Sequence, residues 1–458
     1  MSEEYVPRPR RPVVTYFLIA LNVAVYVMSS YRGFFISTGD WWVKEFALVP
    51  ALLIDPAQLY RLLTSMFLHA NFLHILFNMY FLYFFGKDVE EAVGGLRYII
   101  LYFISGLAAT AFHVAYTPIM GFDNLTVPAL GASGAISGVL GAYLLLYPKR
   151  RLTMCWFMWL LPFCFTMSAE TYLIFWFALQ LIYGFGSLGT VAFFAHAGGF
   201  VTGLALLKVL GRRAPYQPPQ PYTFPFRPYG YFPYYLTHPR AFIREFTLDR
   251  WAKVILIALL AVLLVGAGYS TAYAYSNSGG MYLYTIAASY SNSYPQPDVG
   301  AYIPGKGLII TPASEAARVT LNRLYWAGLL RGESGETLHG VTVSKVVTAP
   351  IGGVPVQVTF KGDLTYDGRG VLISASGKLI TDVLVENPYT GEVGVIKGRT
   401  IYLRMGLVEG SLNMMGSLIL PSAVAALVMT SLAMIAVIMT PATYIPPRPA
   451  FRRYGGWM

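Results

Sequence analysis

Eight long apolar stretches, separated by polar, charged or proline-rich segments, set the pattern of the chain. The first, Val13 to Tyr31, carries no charge. Its length predicts a helix of about 28 Å, close to the hydrocarbon thickness of a bilayer. No small-residue cleavage site follows it, so the pattern predicts an uncleaved first span. Further spans are predicted over Leu68–Phe85, Leu96–Tyr116, Ser133–Tyr147, Glu170–Phe185, Val191–Leu210, Trp251–Tyr273 and Ser417–Thr440. Residues 32–67 read as a long loop with interfacial Trp41 and Trp42. Gly86–Gly95 reads as a short charged turn, residues 117–130 as a loop, and 152–168, broken by Pro162, as an interfacial segment. Residues 214–250 are rich in Pro and Tyr and predict a stiff linker. Residues 276–410 lose the apolar runs. Val341–Val343, Val354–Val358 and Gly370–Ile373 read as short strands, and Ser314–Leu330 as an amphipathic helix.

Composition agrees with a membrane protein: of 458 residues, 56% are hydrophobic and only 12% charged, against about 25% charged in globular chains. The net charge of +11 does not argue for a nucleic-acid partner. The basic residues cluster beside apolar runs, as at Arg8–Arg11, Lys149–Arg151, Arg212–Arg213 and Arg452–Arg453. That placement orients spans with their basic ends in the cytosol. Eight spans then leave both termini cytosolic and residues 276–410 outside the cell membrane. Cys155 and Cys164 share one apolar segment and predict no disulfide framework. Asn124–Thr126 is a glycosylation sequon on the predicted outer side.

The chemistry gathers on three spans. Ser133 opens the fourth, flanked by Gly131 and Gly134, and Gly134 and Gly138 share one helix face. His196 stands one turn before Gly199, which shares a face with Gly203. Facing glycines let two helices pack with their backbones nearly touching, which would bring Ser133 to His196 as nucleophile and base. On the second span His74 and Asn78 lie four apart on one face, able with the Ser133 amide to donate to an oxyanion. No buried aspartate is available to orient His196, so the spacing predicts a dyad. Taken singly, Ser133 reads as filler in a small-residue crossing, His196 as an interhelical donor and His69 as a structural brace. Their common depth is what favours catalysis.

These residues resemble a known family, the rhomboid intramembrane serine proteases. The resemblance covers roughly residues 12–210. It rests on His69-Ala70-x-x-x-His74-x-x-x-Asn78, on Gly131-Ala132-Ser133-Gly134, and on Ala195-His196-x-x-Gly199-x-x-x-Gly203. It implies an all-α polytopic membrane protein with a six-helix rhomboid-like core over 13–213. Two extra transmembrane helices, 251–275 and 417–440, read from the apolar pattern and lying outside the resemblance, would flank the small β-rich domain at 276–410, between a cytosolic segment 1–12 and a basic tail 441–458. It implies Ser133 as nucleophile, His196 as base, and His74, Asn78 and the Ser133 amide as oxyanion hole, with no metal or cofactor and transmembrane proteins as substrates. His69, Gly131, Gly134, Gly199 and Gly203 would shape the site. Tyr60-Arg61 sits where the family usually has Trp-Arg in its first loop, and Glu90 matches a glutamate that ties that region together. Ser137 stands where many members carry an aromatic ring against the catalytic histidine.

Other readings fit less well. A zinc protease needs His-Glu-x-x-His, and His69 and His74 have a different offset with no Glu between them. An aspartyl protease needs paired membrane aspartates, and none of the spans contains one. A transporter would spread polar groups through both leaflets. A non-catalytic rhomboid-like protein that binds transmembrane clients is the remaining alternative.

Overall fold

The computed structural model describes residues 11–441 apart from 159–160, 187–191, 211–246, 277–280, 292–297, 304–306, 311, 313, 351–352, 387–392 and 409–413. The predicted segment 1–12, the linker 214–250 and the tail 441–458 therefore lie almost wholly outside the described residues. Helix α1 (Val13–Ser30) leads into a first connection holding α2 (Asp40–Phe46) and α3 (Arg61–Thr64). Helices α4 (Phe72–Val93) and α5 (Gly95–Ala115) follow, then α6 (Thr117–Met120) and α7 (Ser133–Leu146). A hairpin of β1 (Arg151–Met158) and β2 (Leu161–Ser168) precedes α8 (Ala169–Phe185), α9 (Phe193–Leu210) and α10 (Arg250–Ser276). The protein is a multi-pass membrane protein. Among the described residues, five helical segments are long and apolar enough to cross a bilayer: Val13–Gly33, Gly95–Ala115, Phe193–Leu210, Arg250–Ser276 and Met415–Ile438. The apolar helices α7 and α8 are shorter.

Helix α7 is the centre of the bundle, with every side chain from Ala135 to Leu146 buried. Its glycines explain how it fits. A Cβ on Gly199 of α9 would overlap the carbonyl oxygen of Gly134, and one on Gly203 would overlap that of Gly138. Gly141 lies equally close to the Phe200 carbonyl. The two helices thus touch backbone to backbone, as the spacing predicts, and no larger residue could hold them there. On its other side α7 meets α5, where Gly134 faces Ala109 and Gly138 faces Ser105.

Several boundaries differ from those predicted. Helix α4 starts at Phe72, not Leu68, because the Asn71 side chain caps it by accepting from the His74 N–H at 2.9 Å. The predicted turn at 86–95 is instead the last two turns of α4. Its charges have partners there: Asp88 binds Arg150, and the Glu90 carboxylate accepts from the N–H groups of Val14 and Thr15 at 2.9 and 2.7 Å. Glu90 therefore caps the start of α1, satisfying orphan donors with an anion. The helix stops at Gly94, whose φ of 86° suits only glycine. The described residues of 152–168, expected as an interfacial segment, form the strands β1 and β2, with Thr153 and Thr166 paired across them. Cys164 is disulfide-bonded, and Cys155, the chain's other cysteine, is its register partner. The expectation of no disulfide fails because the apolar run folds back on itself. The loops at 32–67 and 117–130 are partly helical, in α2, α3 and α6.

After α10 come β3 (Tyr282–Ser289), β4 (Asp298–Ile303) and β5 (Gly307–Ile310), then helix α11 (Glu315–Trp326). The strands β6 (Thr337–Thr348), β7 (Pro355–Tyr366), β8 (Leu372–Glu386) and β9 (Val393–Leu407) follow. They form one antiparallel sheet in the order β5-β4-β3-β9-β8-β7-β6. The strands run longer than predicted because the polar alternate positions face outward while Val356, Val358, Phe360 and Leu364 join the same core as Leu321 and Leu324 of α11. The last helix, α12 (Leu420–Ile438), continues from a π turn at Met415–Ile419.

Side-chain ties order the ends of these helices. Lys149, just past α7, binds Glu170 at the start of α8 and Asp249 at the start of α10. Lys253 donates to the carbonyls of Ile438 and Thr440 at the end of α12. These ends share one side, opposite Ser133. The β-rich unit between α10 and α12 consequently lies on the Ser133 side. There Met281, Leu283, Val299 and Ala301 pack with Ala51 and Leu52 of the first connection and with Leu125.

The glycine seam yields a test. Gly199→Val should push α7 and α9 apart, lowering thermal stability in detergent and abolishing any activity that needs Ser133 beside His196. A Gly199→Val protein as heat-stable and active as the parent would show that the seam does not set this distance.

Candidate active site

Ser133 is the first residue of α7, and Ala132 precedes it at φ −70°. The first N–H groups of a helix have no acceptor within it. The Ser133 amide is one of these first N–H groups, at the positive end of the helix. Across the seam, His196 Nε2 lies 2.8 Å from Ser133 Oγ. The depth matching expected from sequence thus takes the form of a direct hydrogen bond.

The segment before Ser133 is held from the first connection. The Gly131 N–H donates to the Ser65 carbonyl at 2.9 Å, and Ala129 and Leu48 exchange two backbone hydrogen bonds. Arg61 builds that connection: its guanidinium donates to the carbonyls of Lys44 and Ala47 and to Gln58, while Thr64 binds the Phe46 carbonyl. Arg61 thus holds the Ser133 segment indirectly, through Ala47, Leu48 and Ala129 and through Ser65, which bonds the Gly131 N–H. Gly131 has φ of 123°, and a Cβ there would meet His74 Nε2 at 2.8 Å. Glycine is required twice over, by the backbone and by the ring.

His74 lies on the far wall. Its Nδ1 accepts a long hydrogen bond of 3.4 Å from the Ala70 N–H, which leaves the ring proton on Nε2, beside Gly131. Asn78 donates one amide hydrogen to the His74 carbonyl at 2.8 Å and retains a second N–H. His69 is fully buried, edge-on to His74 with ring centroids 5.1 Å apart. The Thr38 hydroxyl donates to the His69 carbonyl, so the chain at His69 is pinned where it enters α4. Ser133, His196, His74 and Gly131 come together, with Gly134, Gly199 and Gly203 in the seam beneath. Glu90 does not join them: it sits at the opposite end of α4, capping α1. Among the described residues, no cluster of three or more His, Cys, Asp or Glu side chains suits a metal ion.

One neighbour escaped the sequence reading. Gln180, on α8, lies with its Oε1 2.9 Å from His196 Nδ1. Trp176, one turn earlier, flanks the imidazole with centroids 6.2 Å apart. The histidine is therefore braced from α8 rather than from the position of Ser137, whose hydroxyl donates to the Ser133 carbonyl at 2.6 Å. A glutamine in the middle of an apolar span was the available signal.

A family model described as the Rhomboid domain matches residues 56–213. The chain is similar to the Rhomboid protease GluP of Bacillus subtilis (strain 168), 27% identical over 201 residues that cover 44% of this chain and 35% of that protein. It is 33% identical over 163 residues to RHOMBOID-like protein 1 of Arabidopsis thaliana, covering 36% of this chain and 37% of that one. It is also 29% identical over 150 residues to the Inactive RHOMBOID-like protein 8 of the same plant, covering 33% of this chain and 38% of that one. The chain spans well under half the length of these relatives, and α10, the β-rich unit and α12 lie beyond the matched domain. The matched stretch carries every helix that contributes Ser133, His196 or His74, so the part of the chain that holds these residues is a Rhomboid domain.

Proposed function

We propose that this chain is an intramembrane serine endopeptidase that cleaves transmembrane proteins near the outer face of the cell membrane, with both its termini in the cytosol. The observation that carries the reading is the 2.8 Å contact between His196 Nε2 and Ser133 Oγ at the start of a buried helix. Helix α7 has 14 residues and is about 21 Å long, shorter than the hydrocarbon core of about 30 Å. Ser133 would then lie below the membrane surface, reached through non-helical backbone, which is tolerated at depth where it lines a cavity.

The chemistry follows from the donors. Ser133 Oγ attacks the scissile carbonyl carbon as its proton passes to His196 Nε2. The new oxyanion takes hydrogen bonds from the Ser133 amide, His74 Nε2–H and the second N–H of Asn78. The imidazolium returns its proton to the leaving amine, and water then hydrolyses the acyl-enzyme by the same exchange. A non-catalytic role in binding transmembrane clients is the alternative, since inactive proteins stand among the relatives. The retained Ser133–His196 pair favours hydrolysis.

Ser133→Ala and His196→Ala should each abolish cleavage of a reconstituted transmembrane substrate while leaving the melting temperature intact. Continued cutting at the same bond by Ser133→Ala would defeat the assignment. His74→Ala and Asn78→Ala should each cut kcat by on the order of 10- to 1000-fold, the worth of one oxyanion donor. A fully active double variant would remove them from the mechanism.

The β-rich unit fits a role in substrate recruitment or gating. It is tethered by α10 and α12 and packs on the first connection, which in turn holds the Ser133 segment. Such tethering raises its local concentration at the site. Replacing residues 281–408 by a Gly-Ser linker, with both helices kept, should preserve fluorophosphonate labelling of Ser133. It should change the cleavage rate of a natural substrate and leave that of a generic model substrate unchanged. Equal rates on both substrates would mark the unit as a passenger.

A further inference from the structure

Gln180 is nine-tenths buried in the middle of α8, and both ends of its amide are engaged. Its Nε2 donates to the Trp176 carbonyl at 3.2 Å. Its Oε1 lies 2.9 Å from His196 Nδ1. The direction of each bond is fixed by what each group can do. A backbone carbonyl only accepts, so the nitrogen end of the amide must face Trp176. The oxygen end then faces His196, and an amide oxygen only accepts, so Nδ1 must carry the ring proton. A neutral imidazole holds one proton. Nε2 is therefore the bare nitrogen, and it is the atom 2.8 Å from Ser133 Oγ. The chain of donors runs from Ser133 Oγ–H to His196 Nε2, and from His196 Nδ1–H through the Gln180 amide to the Trp176 carbonyl.

We propose that Gln180 is a positioning residue that completes a Ser133–His196–Gln180 relay by locking His196 in the tautomer able to accept the serine proton. This rests on the hydrolase reading for its purpose, though not for its geometry. The role is the one a triad carboxylate plays, holding the imidazole by its Nδ1–H. Here a neutral amide does it, without placing a charge among apolar helices, where an unpaired carboxylate would be costly. The carbonyl that orients the amide belongs to Trp176, four residues earlier on the same helix, so the relay is built into one turn of α8.

The test separates the tautomer from the catalysis. In protein labelled with ¹⁵N-histidine, in detergent, the His196 signals are assigned by their loss in His196→Phe. The parent should show a protonated Nδ1 and a bare Nε2. Gln180→Met, which keeps the side-chain length but offers no strong acceptor, should lose that preference. Its kcat on a model substrate should fall by on the order of 10- to 1000-fold, short of the roughly 10⁴ lost when a triad histidine is held in the wrong tautomer. KM should stay unchanged. Gln180→Glu, whose carboxyl can accept from Nδ1, should restore both the tautomer and most of kcat, which a purely packing role would not. A parent protonated on Nε2, or a Gln180→Met protein with the same tautomer and kcat as the parent, would overturn the proposal. An inactive parent with the Nδ1–H tautomer would instead overturn the protease reading and leave the positioning role standing.

Discussion

The structure depends on one constraint, the contact of α7 and α9 along their glycines. Gly134 and Gly138 present bare carbonyls to Gly199 and Gly203, so the helix axes approach as closely as backbones permit. Ser133 opens one helix and His196 stands near the start of the other, both on the same side of the seam. Their 2.8 Å separation is a consequence of that packing. Any side chain in the seam would open a gap that a hydrogen bond cannot bridge.

Around the seam, three layers of support fix Ser133, His196 and His74. The first connection, stitched by Arg61, holds the Ser133 segment through Ser65, Leu48 and Ala129. Helix α4 supplies His74, which Gly131 alone leaves room for. Helix α8 supplies Gln180 and Trp176 behind the imidazole. Helices α10 and α12 join the same buried cluster, with the Tyr116 hydroxyl bonded to the Leu263 carbonyl. They bring the β-rich unit onto the first connection. A disturbance of that unit has a continuous packed route, through Ala51 and Leu48, to the segment that carries Ser133.

Much of this was legible in the chain. The helical runs, the glycine spacings and the Ser133, His196 and His74 positions follow from periodicity and from polar residues in apolar surroundings. What escaped the sequence has physical causes. The end of α4 looked like a turn because its charges read as solvent-exposed, whereas Asp88 and Glu90 are spent on Arg150 and on the cap of α1. The β1–β2 hairpin was hidden because a short apolar run does not declare its period, and its two cysteine positions come into register only after it folds back. Gln180 was passed over because one amide in a span of apolar residues signals a partner without naming it. Glu90 reads as a tie for the first loop because sequence alone does not show that a helix of 22 residues carries it to the other end, where it bonds the Val14 and Thr15 amides at the start of α1.

The central claim is that Ser133 is a nucleophile made reactive by His196 across the glycine seam. The most direct measurement is to treat the full-length protein in detergent with a fluorophosphonate and locate the adduct by peptide mass spectrometry. The account predicts modification at Ser133 in the parent and none in a folded His196→Ala protein. An adduct on a different serine, or equal modification of Ser133 without His196, would contradict it.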